Sequence, residues 1–181
     1  LITILVKRLL VFYIVEEESK LERLENLTRL GLYVDVILSN DLYHPSLNSV
    51  VAVYIRPIKS KHGFIIPINH DEGFNIDKER ILELLSKASK LYTLNKKDLL
   101  YHFNLQSAID LSLLYSMVKY QRLEYSREIS TINYFYNKFK DFKNINRLIP
   151  ISKLYESCEK VYDKVSNVID FEIPEGFEFY N

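Results

Sequence analysis

The sequence predicts an α/β fold built on a mixed β-sheet with helices on its faces. Short runs rich in β-branched and aromatic residues alternate with segments of helical periodicity. The 181 residues include only 4 glycines and 5 prolines, and no Pro/Gly/Ser-rich linker divides them. A hydrophobic share of 48% is typical of a globular domain, and the length is enough to bury one core.

The first part of the chain predicts a strand, a helix and a three-stranded antiparallel unit. Val11–Val15 is the first strand. Glu16–Leu30 has leucines at helical spacing, acids in its first turn, and Gly31 where a left-handed cap belongs. Three β-rich runs follow, and the polar segment Lys59–Gly63 between the last two indicates a hairpin. These runs are Leu32–Leu38, Val50–Ile55 and Phe64–Ile68.

The second part predicts helices separated by short strands. Asn75 or Asp77 is expected to cap a helix that carries Ile81 and Leu84 on its apolar face. The later elements are, in order, the strand Leu91–Leu94, the helix Lys96–Phe103, a strand end at Ala108–Asp110 that leads into a helix, and two amphipathic helices with apolar stripes over 129–142 and 151–169.

Charge, cysteine content and motifs exclude several functional classes. The 24 basic and 24 acidic residues cancel, so a polyanionic partner needs a local basic patch. Cys158 is the only cysteine, which excludes a disulfide framework and a cysteine zinc site. The apolar stretch Leu1–Val15 is interrupted by Lys7 and Arg8 and is too short to span a membrane, so no membrane partner is expected. No glycine-rich phosphate loop, G-x-S-x-G elbow or helical histidine pair occurs.

Asp35 is the most informative residue, because it interrupts the apolar run Leu32–Leu38. A buried charge costs several kcal/mol unless it is paired or binds a cation. Either Asp35 faces solvent on an alternating strand, or it joins carboxylates from other elements. Such a cluster can hold the two divalent cations of phosphoryl-transfer chemistry. The candidates are Asp98, Asp110 and Glu159, although helix capping would equally explain the two aspartates and a solvated helix flank the glutamate.

Five short motifs follow one another between residues 12 and 168. They are the apolar–acidic strand Tyr33–Ile37, an Ile-Pro-x-x-His within Gly63–His70, an Asn-x-Lys-Asp at Asn95–Asp98, the helix start Ala108–Leu111, and a Tyr-x-x-x-Glu at Tyr155–Glu159. With the element order, they resemble the 3′–5′ exonuclease domain of bacterial and phage family A DNA polymerases. The resemblance implies an RNase H-like (DnaQ-like) fold, with a mixed five- to six-stranded sheet flanked by helices over residues 1–170. Residues 171–181 would form an acidic tail or the start of a linker.

The same resemblance implies the site residues. Asp35 and Asp98 would be ligands of Mg²⁺ or Mn²⁺, Glu159 a substitute third ligand, and Tyr155 the residue that orients the attacking water. The chain departs from the family at Ile37, which stands where the family has the glutamate of Asp-x-Glu.

The second motif is also one residue shorter than in the family, which leaves either a displaced Asp98 or Leu99 at the ligand position. With one ligand lost and a second displaced or replaced, impaired catalysis is the expectation.

A basic segment, residues 119–147, indicates contact with nucleic acid. It carries seven basic against three acidic residues and seven aromatic residues, although its regularly spaced phenylalanines are expected in the core. The residues predicted to contact nucleic acid are Lys96, Lys97, Arg122, Arg127 and Lys138.

Three functions stay open. The first is a phage-type, degenerate exonuclease domain that binds single-stranded DNA or a primer 3′ end beside a polymerase domain, in the cytoplasm of a host cell. The second is a non-catalytic scaffold that binds a protein in a replication or phage assembly. The third is an active nuclease whose missing carboxylate comes from Asp41 or Glu159.

Overall fold

The computed structural model describes residues 11–15, 17–38, 46, 49–60, 62–70 and 74–120. The strands are β1 (Val11–Ile14), β2 (Leu32–Leu38), β3 (Val50–Pro57), β4 (His62–Pro67), β5 (Leu91–Thr93) and β6 (Ile109–Asp110). The helices are α1 (Glu18–Glu25), α2 (Lys78–Ser86), α3 (Lys96–Phe103) and α4 (Leu111–Lys119), with a 3₁₀ turn at Thr28–Leu30. No described helix is long and apolar enough to cross a membrane.

The six strands form one mixed sheet in the order β1-β4-β3-β2-β5-β6. β2, β3 and β4 pair antiparallel, as the sequence predicts. β5 adds parallel to β2, β6 adds parallel to β5, and β1 adds parallel to β4. The carboxyl ends of β2, β5 and β6 therefore lie at the same edge of the sheet.

Strand alternation divides β2 between two buried faces. Leu32, Val34 and Val36 pack in the core that also contains the leucines of α1 and the apolar stripe of α2. On the opposite face, Tyr33 and Ile37 are also at most 2% exposed. Burial on both faces explains why the run is apolar apart from Asp35 and does not alternate with polar residues.

Several boundaries differ from the sequence prediction. The first helix, predicted over Glu16–Leu30, is shorter in the structure. It begins at Glu18 and ends at Glu25, and a 3₁₀ turn follows it. Asp77 is the N-cap of α2 but makes no side-chain cap hydrogen bond. Asn75 is not a cap, because its side chain closes a loop: its amide nitrogen donates to the carbonyl of His70 at 3.0 Å, and its oxygen accepts from the His70 N–H at 2.9 Å. The two later predicted helices and the acidic tail lie outside the described residues.

Gly31 joins the 3₁₀ turn to β2 with a φ of 81° and a ψ of 154°, so its φ is positive as predicted, but its conformation is not that of a left-handed helical cap. Its carbonyl accepts from the N–H of Ile58 at 3.1 Å, which ties the start of β2 to the end of β3. A Cβ at this position would lie 2.8 Å from Ile58 Cδ1 and 3.3 Å from the carbonyl oxygen of Lys90. Both the backbone conformation and the space require glycine.

Replacing Gly31 with alanine should lower the free energy of unfolding by more than about 1 kcal/mol, because the added methyl is strained at positive φ and meets Ile58. Urea denaturation followed by circular dichroism measures the change. Leu30→Ala is the matched control, since Leu30 is 62% exposed and its loss should have a small effect. Equal effects of the two substitutions would contradict this account of Gly31.

Candidate active site

Asp35 lies in the middle of β2 and is only 4% exposed. It is opposite Tyr54 of β3, and its Oδ1 accepts the N–H of the next residue, Val36, at 3.0 Å. The interpretation that Asp35 faces solvent is therefore wrong. The strand does not alternate between apolar and polar faces, because the face that carries Asp35 is buried too.

Burial raises the pKa of the Asp35 carboxyl from 3.8 to about 8. Loss of hydration is the main cause, the Val36 N–H acts in the opposite direction, and the negative charges of Asp98 and Asp110 add to the rise. At neutral pH and without a bound cation, Asp35 is thus mostly protonated. The charges of Asp98 and Asp110 are thus near enough to oppose ionisation of Asp35.

Asp98 is in the first turn of α3, but it is not the N-cap of that helix. Asn95 is the cap: its side-chain oxygen accepts the Asp98 N–H at 3.3 Å, and its amide nitrogen donates to Asp98 Oδ2. The reciprocal bonds fix the Asp98 carboxylate at the start of the helix. Leu99, the alternative in the short second motif, is fully buried in the core and is not available to a ligand.

Asp110 ends β6 and caps α4, as the sequence predicts. Its Oδ1 accepts from the Leu113 N–H at 3.0 Å and from the Ser112 hydroxyl at 2.6 Å. Its Oδ2 accepts the N–H of Lys96 at 3.4 Å, so one carboxylate joins the first turns of α3 and α4. The contact with Lys96 could not be predicted, since it depends on how α3 and α4 lie beside each other.

Sheet topology explains why the elements that carry these aspartates are neighbours. Tyr33 of β2 pairs with Tyr92 of β5, and Thr93 of β5 pairs with Asp110 of β6. Asp35 lies two residues after Tyr33 on β2. At this level β5 has already ended, and the segment that follows β5 leads into α3. All three carboxylates therefore lie at the carboxyl edge of parallel strands, where open α/β sheets bind ligands.

Ile37 lies two residues beyond Asp35, so its side chain is on the same face of β2. It is 2% exposed, it pairs with Ala52, and it has no atom that can bind a cation. Among the described residues, no group of three or more His, Cys, Asp and Glu side chains could hold a metal ion. The described residues therefore do not fit a two-cation centre, although aspartate oxygens are the donors that Mg²⁺ and Mn²⁺ prefer.

The remaining predicted site residues divide into two groups. Lys96 and Lys97 are at the start of α3, beside Asp98. Burial lowers the pKa of Lys96, and the charge of Asp110 opposes that fall. Lys97 is exposed. Outside the described residues lie Arg122, Arg127, Lys138, Tyr155, Glu159 and Asp41.

Comparison with solved structures finds exonuclease domains. The EXO domain of Aedes aegypti Nibbler superposes with a TM-score of 0.52 at 14% identity, over 93% of this chain and 94% of that chain. Escherichia coli RNase D, an exoribonuclease involved in structured RNA processing, gives 0.54 at 11% identity over 87% of this chain. Trypanosoma brucei RNase D in complex with RNA U12 gives 0.54 at 10% identity over 90% of this chain. The chain shares the fold of these exonuclease domains.

The exonuclease fold confirms the predicted fold class, with six strands in the sheet. The chain spans 44% of the Escherichia coli RNase D and 64% of the Trypanosoma brucei RNase D, so it corresponds to part of those proteins. No family model matches the sequence, and no curated protein matches it either. Membership of family A polymerases and a phage source stay predictions.

Asp35→Asn should be more stable than wild type at high pH in the presence of a chelator. The folded pKa of Asp35 lies above its unfolded value, so wild type loses stability as pH rises from about 4 to about 8, when the buried carboxyl must ionise. The asparagine side chain of the variant has no proton to lose. The advantage of the variant should be small near pH 4 and reach up to about 5 kcal/mol above pH 8.

Urea denaturation at intervals between pH 4 and 9 measures this difference. Asp77→Asn is the matched control, because Asp77 is exposed and asparagine is an equally good N-cap. Its stability relative to wild type is the baseline against which the pH dependence of Asp35→Asn is compared. A pH-independent difference between wild type and Asp35→Asn would contradict the burial of an ionisable carboxyl in β2.

Proposed function

We propose that this chain is a 3′–5′ exonuclease-like domain that binds the 3′ end of single-stranded DNA and has impaired catalysis. The observation that carries the proposal is Ile37, an apolar residue next to the buried Asp35 at the ligand-binding edge of an exonuclease fold. The fold supplies the expectation of a nuclease. Ile37 removes a carboxylate from the place where the chemistry needs one.

The loss is severe because two-metal catalysis depends on the whole set of ligands. A pair of divalent cations activates the attacking water and stabilises the leaving oxygen, and a cluster of negative oxygens is needed to hold both cations close together. Asp35 and Asp98 supply two such ligands on the described elements. Glu159, four residues after Tyr155 in the sequence, completes the proposed set but does not replace an acid on β2.

Single-stranded DNA is the proposed ligand, since the motifs resemble those of DNA polymerase exonuclease domains. The same resemblance supports a place beside a polymerase domain or within a replication or assembly complex, and a phage protein would act in the host cytoplasm. Because two of the structurally similar proteins are named as ribonucleases, RNA must be tested as a ligand beside DNA. Lys96 and Lys97 support a polyanionic ligand because they stand at the start of α3, beside the aspartates.

Ile37 equally favours a second candidate function, a non-catalytic scaffold that binds a protein partner. A scaffold of this kind need not bind nucleic acid, so a nucleic-acid binding experiment distinguishes it from the exonuclease-like domain. Matched single-stranded DNA and RNA are therefore tested for both binding and degradation, with Mg²⁺ and with Mn²⁺.

Wild type should bind single-stranded DNA while degrading it weakly or not at all, and Asp35→Ala should remove any weak residual degradation without abolishing binding. Binding should weaken as salt increases. Lys97→Gln should reduce the slope of log affinity against log salt by about 0.7, the contribution of one phosphate contact on a single strand. Fluorescence anisotropy and gel assays of end-labelled oligonucleotides measure both properties.

Lys90→Gln is the control for binding, since Lys90 is exposed and precedes β5 at the opposite edge of the sheet. Robust degradation that Asp35→Ala abolishes would overturn the impaired-catalysis proposal in favour of an active nuclease. If wild type binds neither DNA nor RNA, the non-catalytic scaffold that binds a protein partner becomes the favoured function.

Ile37→Glu should be unstable without divalent cations and should regain stability with them. A glutamate at position 37 would bury a second carboxylate on the face of Asp35, at a cost of several kcal/mol unless a cation binds between the two. Thermal unfolding with a chelator and with millimolar Mn²⁺ measures the rescue. Ile37→Gln, similar in size but uncharged, should be destabilised without rescue. Equal responses to Mn²⁺ would show that β2 does not face a cation site.

A further inference from the structure

Helix α3 buries one face and exposes an aromatic residue on the other. Leu99 and Phe103 pack in the core, whereas Tyr101 is 52% exposed and Leu100 is 38% exposed. Tyrosine is enriched at binding interfaces, because its ring is apolar while its hydroxyl stays hydrated. Tyr101 is not one of the residues of the site described above.

Tyr101 is close to the acidic site through the geometry of its helix. It follows Asp98 by three residues and Lys97 by four, so all three side chains are neighbours on the helix surface. Helical side chains lean towards the N-terminus, which directs the Tyr101 ring over the turn that carries Lys97 and Asp98. That turn starts at the carboxyl edge of the sheet, where Asp35 and Asp110 lie.

The ring of Tyr101 is also held in place. It makes an edge contact with the ring of His102, with centroids 5.0 Å apart and planes at 80°. The contact restrains the ring while the residue stays 52% exposed. A restrained, exposed ring loses little freedom when a flat partner stacks on it.

We propose that Tyr101 stacks on a base of single-stranded nucleic acid and that Lys97 meets a phosphate of the same strand. The proposal rests on the proposed function and extends it to a specific contact. Sites for single strands combine an aromatic platform with basic groups that follow the backbone. Here the lysines and the positive start of α3 supply the charge, and Tyr101 supplies the platform one turn away.

The experiment measures the affinity of the full chain for a fluorescent single-stranded 12-mer. Tyr101→Leu should weaken binding about fivefold to a hundredfold, whereas Tyr101→Phe should stay within about twofold of wild type because it keeps the ring. Phe74→Leu is the matched control, since Phe74 is 69% exposed but lies outside α3. It should bind as wild type does.

A second set of oligonucleotides tests stacking directly. Each carries one abasic position, moved stepwise from the 3′ end. At the position that Tyr101 contacts, wild type should lose affinity and Tyr101→Leu should lose none. If the leucine variant unfolds, wild type and Tyr101→Phe are compared alone, and both should lose affinity at the same abasic position.

The outcomes separate the two proposals. Unchanged affinity of Tyr101→Leu, or wild type that is indifferent to every abasic position, would overturn the role of Tyr101 while the proposed function stands. An equal loss in Phe74→Leu would also overturn it, because the effect would then follow from any exposed aromatic residue. Wild type that binds neither DNA nor RNA would overturn the proposed function itself.

Discussion

The structure depends on a carboxyl group held in a strand that is buried on both faces. Asp35 is 4% exposed in β2, so its charge is opposed by lost hydration and by the charges of Asp98 and Asp110. Only protonation or a bound cation can relieve that cost. The neighbouring Asp98 and Asp110 share this constraint, because their charges act on whether Asp35 is charged.

The sheet order converts residues distant in sequence into one site. β5 and β6 add in parallel beside β2, and each is followed by a helix that begins at the same edge. Asn95 and Asp110 cap those helices, and their side chains bind the backbone of the first turns. The caps thus stabilise the helices and also fix Asp98 and the start of α3 against the sheet. In this region, stability and site geometry have the same origin.

The sequence predicted most of the fold because local signals were strong. The limits of β2 and α3 were predicted to the residue, since the first is a continuous apolar run and the second is preceded by a good cap. Predictions failed where long-range packing decides. The alternative in which Asp35 faces solvent assumed that one face of β2 is exposed. Both faces are buried, and that burial depends on how the whole sheet packs. Likewise, Asn75 could not be told from a cap without knowing that His70 lies beside it.

Isoleucine at position 37 suits the same energetics that make a charged Asp35 costly. A glutamate two residues along β2 would place a second carboxylate on the same buried face, and without a cation both would resist burial. Isoleucine removes that repulsion and packs at 2% exposure opposite Ala52. Asp35 alone can then stay in the fold by taking up a proton. With isoleucine at position 37, the strand can therefore fold without a bound cation, because Asp35 is the one carboxylate that β2 buries.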